Sequence, residues 1–285
     1  MQFGDGATMS ATVNNSYISA SAAEDYNNDA VMVEDNLVQA EARGFTSINV
    51  LSLNAGSSSN AMAALANVQQ LDSSTVSASI DNVGIFTGNL DEGATSSSLT
   101  VDGNIVEAVS GANRSSNLLI TTAGATLQES SGAGVTIDPG ATSRVAFTGA
   151  DYALINDQRT DNVTVSSTIR DVDIGIDGLN ETTGVDFSAL SVQDNEVRAV
   201  ATGNDAVNQL VLNTGTFQHP SAAIGNSQSN DGTTITASVT NTVIGIGESL
   251  TLNANSTNSS FRVRGNSIGA TAIGNSAINV ISSGD

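Results

Sequence analysis

Apolar residues recur along this chain with period two, in short stretches that change phase. Leu99, Val101 and Gly103 share one parity, Val106, Ala108, Ser110 and Ala112 share the other, and Asn117, Leu119 and Thr121 switch back. Period two is the signature of strand. A phase switch marks a point where a strand turns a corner and re-aims its side chains. Asn and Gly cluster at the switches, and both tolerate the positive φ that corners require. The pattern predicts an all-β chain of short strands and regular corners. One stretch departs from it: Met62, Leu65, Val68 and Leu71 fall at helical spacing within Ser58–Leu71. Its place in the internal repeat, described next, assigns it to strand.

The same pattern returns four times. An Asn is followed thirteen positions later by a second Asn, in the pairs Asn36/Asn49, Asn104/Asn117, Asn195/Asn208 and Asn266/Asn279. Val33, Val101, Val192 and Val263 stand three residues before each first Asn, and Val38, Val106, Val197 and Ile268 two residues after it. Ala40, Ala108, Ala199 and Ala270 follow. Upstream, Ala-x-x-Asn-x-Gln appears as Ala64/Asn67/Gln69, Ala153/Asn156/Gln158 and Ala223/Asn226/Gln228. A Thr-Val-x-x-x-Ile pattern aligns Thr12/Val13/Tyr17 with Thr75/Val76/Ile80, Thr164/Val165/Ile169 and Thr234/Ile235/Val239.

These marks divide one elongated unit, 1–285, into repeats of approximately 1–63, 64–152, 153–222 and 223–285, with an insertion near 124–145 that reads as an extra coil or an elaborated loop. The predicted fold is a β-solenoid, or parallel β-helix, built from four long repeats. Three coils of roughly 20–25 residues per repeat would give about twelve coils, and at ~4.8 Å per coil a rod of roughly 60 Å. The competing antiparallel sandwich needs hairpins and no repeat. The Val and Ile positions are the predicted core ladder. The eight Asn are a predicted structural ladder, each amide bonding its equivalent one coil away; contact of those amides with carbohydrate is the functional alternative.

Composition narrows the partners. The formal net charge is −21, all eight basic residues are Arg, and there is no Cys. A basic surface for nucleic acid is unsupported, an anionic membrane would repel the chain, and thiolate metal sites and disulfides are excluded. No run of about twenty apolar residues exists, so direct membrane insertion as a helix is not expected. Met1–Asp5 lacks the basic and apolar regions of a signal peptide, so an exported chain would have lost its signal or carry it elsewhere.

Candidate chemistry is sparse. Asp171, Asp173 and Asp177 lie within seven residues and carry hard oxygen ligands, the set that suits Ca²⁺. A solvated acidic surface is the preferred reading, with no cofactor and these three as residual Ca²⁺ candidates. His219 has no visible partner, and aromatics are few, so no catalytic residue is assigned. Thr-rich strands raise ice binding, but only Thr234-Ile235-Thr236 fits Thr-x-Thr, against Thr164-Val165-Ser166, Thr75-Val76-Ser77 and Thr12-Val13-Asn14. An irregular face argues against that activity.

The segments Asn195-Glu-Val-Arg-Ala199-Val-Ala201-Thr-Gly203-Asn204 and Asn266-Ser-Ile-Gly-Ala270-Thr-Ala272-Ile-Gly274-Asn275 resemble repeats of bacterial surface proteins, most nearly the holdfast anchor family, component D. Alternating Ala, Gly-Asn and Val-x-Val blocks and an acidic, Lys-poor composition carry that resemblance. It implies an extracellular protein at the bacterial cell surface that fixes an adhesive polysaccharide to the envelope. Ala272-Ile-Gly-Asn-Ser-Ala277 and Ala223-Ile-Gly-Asn are similar to coils of trimeric autotransporter heads, although the unit here is longer than theirs.

The expectation is a non-catalytic structural and adhesive fibre protein. Its expected partners are itself, through end-to-end assembly, and a polysaccharide or outer-membrane anchor protein. A polysaccharide-degrading β-helix enzyme and a phage fibre or spike segment, an obligate trimer, are the alternatives.

Overall fold

A computed structural model describes the chain except residues 21–25, 56–57, 60–61, 88–93, 125, 129–134, 138–146, 177–184, 219, 248–256 and 285. The described residues contain strands and no helix, and their sheets are parallel and stacked, as in a β-solenoid, apart from one two-stranded antiparallel pair. Sheet 1 comprises Gln2–Asp5, Ala63–Asp72, Tyr152–Asp161 and Ala222–Asp231. Sheet 2 comprises Thr8–Ala20, Thr75–Thr87, Thr164–Ile176 and Thr234–Ile246. Sheet 3 comprises Ala30–Glu34, Ser98–Asp102, Ala189–Gln193 and Ser260–Arg264. Sheet 4 comprises Leu37–Ala55, Ile105–Ala123, Glu196–Asn213 and Ser267–Gly284. Tertiary context overrides the helical spacing of Met62–Leu71: Ala63–Asp72 is a strand whose outward and inward residues are both used.

The partners of each strand lie a whole repeat away. Asn36 adjoins Asn104, Asn104 adjoins Asn195, and Asn195 adjoins Asn266, at sequence separations of 68, 91 and 71. Each repeat therefore makes one wide turn, which corrects the expected three coils per repeat. The chain makes about four turns, not twelve, and at ~4.8 Å per turn the stack rises by under about 20 Å. The reason lies in the cross-section. Sheets 1 and 2 form one layer and pack against sheet 4, with sheet 3 closing one end. The turn is a flattened loop with two facing walls, which needs far more residues than a narrow tube.

Corners are made the same way in every turn. Four columns of residues adopt positive φ: Gly6, Ser73, Asn162 and Gly232; Asn15, Asn82, Asp171 and Asn241; Asn28, Ser96, Phe187 and Asn258; Asp35, Gly103, Asp194 and Gly265. Asn, Asp and Gly dominate because they enter this region at least cost. The corner Asn36, Asn104, Asn195 and Asn266, just before sheet 4, are not themselves the left-handed residues; the residue before each of them is.

Register also corrects the alignment of the first repeat. Thr75 pairs with Thr8, not Thr12, and Thr12 pairs with Ser79. Sheet 2 then reads as three columns along its strands: Thr8, Thr75, Thr164 and Thr234; Ser10, Ser77, Ser166 and Thr236; Thr12, Ser79, Thr168 and Ser238. Between them, Val76, Ala78, Ile80, Val165 and Ile169 point inward and are buried.

The insertion near 124–145 is an elaborated loop in its described part. Val135–Ile137 pairs antiparallel with Phe147–Ala150. This hairpin lies over the outer side of sheet 1, where Ala150, Ala153 and Ile155 form a small buried cluster.

Candidate functional site

The interior holds two apolar cores separated by a polar band. The larger core lies between sheets 2, 3 and the first half of sheet 4, and includes Ile80, Leu99, Val106, Ile169 and Val197. The smaller lies between sheet 1 and the second half of sheet 4, and includes Leu119, Tyr152, Leu154 and Leu210. Between them, Asn67, Gln69, Asn156 and Gln158 of sheet 1 meet Ser115, Asn117 and Asn208 of sheet 4, all buried. Buried amides are tolerated only when bonded, and stacking turns satisfies them. One amide has one strong donor side and one acceptor side, and the next turn supplies the complement.

The bonds run along columns and across the band. Asn49 Nδ2 donates to Asn117 Oδ1 at 2.8 Å, Asn117 Nδ2 to Asn208 Oδ1 at 2.8 Å, and Asn208 Nδ2 to Asn279 Oδ1 at 2.8 Å. Asn67 donates to Asn156 at 2.8 Å and Asn156 to Asn226 at 2.7 Å. Asn113, Asn204 and Asn275 form another column, whose first-turn place is taken by Phe45. The Gln column runs the opposite way: Gln158 Nε2 donates to Gln69, and Gln69 Nε2 to Gln2. Cross-links join the walls, with Asn117 Nδ2 on Asn156 Oδ1 at 3.2 Å and Ser115 Oγ on the same oxygen at 2.9 Å.

The corner column has a fixed polarity. The backbone N–H of Asn36 donates to Asn104 Oδ1, that of Asn104 to Asn195 Oδ1, and that of Asn195 to Asn266 Oδ1. A backbone N–H can only donate, so the oxygen of each Asn must face the preceding turn. The side-chain amides follow the same direction, at 2.8, 2.9 and 3.0 Å. Ser97, Ser188 and Ser259 repeat the device at another corner, where Oγ of the later turn accepts the N–H of the earlier one.

All eight Asn of the sequence ladder fall in two of these columns. Val33, Val101, Val192 and Val263 stack in one apolar column, and Val38, Val106, Val197 and Ile268 in another. Sequence spacing did not single out Asn113, Asn204 and Asn275. Their signal was the second phase switch in sheet 4, where Ala112 and Asn113 are consecutive and both buried.

Among the described residues, the first and last turns have a neighbouring strand on one side only. Leu37–Ala55 and Ser267–Gly284 are the edge strands of sheet 4. Val263, Ile268 and Ile281 are 52%, 50% and 52% exposed, while Val192, Val197 and Leu210 in the same columns are fully buried.

Most charge faces away from the two cores, although Asp151, Asp157 and Glu107 are buried. Arg198 Nε donates to Glu107 Oε1 at 2.7 Å, and Gln39 Nε2 to Glu107 Oε2 at 3.0 Å. That bond to Glu107 raises the Arg198 guanidinium above its ordinary value, with burial opposing it. Asp171 occupies a left-handed corner and accepts from Asn241, Asp173 is an exposed neighbour, and Asp177 lies outside the described residues, as does His219. Among the described residues, no group of three or more His, Cys, Asp or Glu is arranged to hold a metal.

No family model, no curated protein and no solved structure matches this chain. Among the described residues, no helix is long and apolar enough to cross a membrane.

Proposed function

We propose that the chain is a non-catalytic structural module of a bacterial cell surface or extracellular matrix, extended by end-to-end stacking with further copies of itself. The observation that carries this reading is the match between its two open faces. Side-chain oxygens of Asn36 and Asn49 lie at the end of their columns on the first turn. The amide group of Asn279 and the backbone N–H of Asn266 lie at the other end. A second copy added in register would set Asn266 on Asn36, Asn279 on Asn49 and Gln2 on Gln228, while Asn275 would meet Phe45 and gain no amide partner. Head-to-head contact would oppose like groups, so the fibre would be polar. Edge strands invite such pairing.

Stacking would also cover the half-exposed ladder residues. Val263, Ile268 and Ile281 would each lose roughly half their surface to the interface, about 1 kcal/mol apiece. The bacterial setting rests on the resemblance of segments 195–204 and 266–275 to surface repeats, and a polysaccharide or outer-membrane anchor protein is the proposed partner of the outer faces. Electron microscopy of the purified chain across a concentration series tests the reading. Filaments with a ~4.8 Å axial repeat support it. Discrete short particles at every concentration would refute end-to-end stacking.

A further inference from the structure

The outer face of sheet 2 is a lattice of hydroxyls. In its three columns every position in every turn is Thr or Ser. The column that begins at Thr8 is Thr throughout. Neighbours within a column stand about 4.8 Å apart, and columns about 6.6 Å apart, two residues along a strand. The patch measures roughly 13 by 14 Å on these spacings. Its rotamers are restricted where Thr occurs, because a β-branched side chain has little χ1 freedom.

Two further observations set this face apart. Among the described residues, none of the twelve hydroxyls makes a hydrogen bond within the protein, whereas the corner residues Ser74, Ser97, Ser188 and Ser259 all do. The lattice also carries no charge in a chain of net charge −21. Charge begins beyond it, with Asp81 and Arg170 one column further on and the aligned Asp5, Asp72, Asp161 and Asp231 across the corner from the Thr8 column. A neutral, unsatisfied and regularly spaced array does not select an ionic partner.

We infer that this face contacts ice. A single hydroxyl gains little by exchanging water for a sugar, since the net value of such a bond is only about 0.5–1.5 kcal/mol. Sugar platforms add an aromatic ring to stack on, and these columns contain none. Ordered water needs no such exchange. Water already on the hydroxyls becomes the ligand, held at repeat distances close to those of oxygen atoms in an ice surface, with the Thr methyls filling the gaps between. The irregular face read from sequence came from the four-residue misalignment of the first repeat and from counting Thr alone, where Ser supplies the same hydroxyl. This activity is independent of fibre formation, because each copy carries its own lattice.

The test is thermal hysteresis and ice recrystallisation with the monomeric fraction from size exclusion. The parent chain is compared with Ser166→Tyr at the centre of the lattice and with Ser116→Tyr on the outer side of sheet 4. Circular dichroism and melting establish that the variants are folded. The expected result is activity in the parent, its loss in Ser166→Tyr, and its retention in Ser116→Tyr. An inactive monomeric parent, or a folded Ser166→Tyr that keeps full activity, overturns the inference. So does pelleting with insoluble cellulose or chitin that Ser166→Tyr abolishes in a parent without ice activity, which would assign the lattice to polysaccharide. Absence of filaments in the microscope would leave this result untouched.

Discussion

Asn156→Ala probes the amide band at its most crowded point. Asn156 is fully buried. Its Oδ1 accepts from Asn67 Nδ2 at 2.8 Å, Ser115 Oγ at 2.9 Å and Asn117 Nδ2 at 3.2 Å, and its Nδ2 donates to Asn226. After truncation Asn117 keeps its bond to Asn208. Asn67 Nδ2 and the Ser115 hydroxyl proton lose their acceptor. Each of the two orphaned buried donors costs about 1–3 kcal/mol, so the variant should lose roughly 2–6 kcal/mol. At about 2–4 °C per kcal/mol for a chain of this size, Tm should fall by roughly 4–24 °C. Asn156→Leu should do no better, since it leaves the same donors unpaired. Asn36→Ala, at a half-exposed edge where water can substitute, should cost under about 1 kcal/mol. Denaturant unfolding followed by circular dichroism measures all three, and a double-mutant cycle of Asn156 with Asn117 reads their coupling. If Asn156→Ala and Asn156→Leu both unfold within about 0.5 kcal/mol of the parent, buried amides do not join the walls as described.

Other consequences follow from the same geometry. Gly175→Ala would drive a methyl into the backbone oxygen of Gly245, while Gly245→Ala would meet nothing; the first should cost about 1–3 kcal/mol or more and the second should be near neutral, read as denaturation midpoints. Phe187 holds φ 53° at an exposed corner where other turns use Asn28 and Asn258. Phe187→Asn should therefore stabilise by about 1 kcal/mol and raise Tm. Glu107→Gln removes the charge facing Arg198. Because Arg198 is 43% exposed, the loss should stay within about 1 kcal/mol and shrink at high salt, which paired melts at two ionic strengths would show.

Much of the architecture was legible in residue types. The parity switch at Gly103 located a corner, while the one at Ala112–Asn113 falls within the continuous strand Ile105–Ala123, and the spaced Asn pairs located two columns that do stack. Coil length was not legible. Period-two patterning describes each strand and its facing, but it does not state which strand lies beside it, and a narrow tube and a flattened loop produce the same alternation. The interior amide band was hidden for a related reason. Asn67, Asn156 and Gln158 read as surface residues one at a time, and only register across both walls puts them inside. The hydroxyl lattice was obscured by one misplaced repeat, because Thr12 resembles Thr75 in isolation while Thr8 is its partner. Asp171, kept as a residual Ca²⁺ candidate beside the preferred reading of a solvated acidic surface, sits in a corner column that is Asn in the neighbouring turns.

Columns, open faces and lattice all depend on one turn per repeat, and the absence of Cys from the chain makes that claim directly measurable. Ser79→Cys and Thr168→Cys would be introduced together, since those residues are adjacent on the outer side of sheet 2. Adjacent Cα atoms on paired strands stand at about 4.8 Å, within reach of a disulfide. Rapid intramolecular cross-linking of this pair is expected under mild oxidation, seen as a mobility shift reversed by reductant. No cross-link there, with efficient cross-linking of Ser79→Cys to a cysteine placed about 22 residues away, would restore the short-coil solenoid and contradict the fold described.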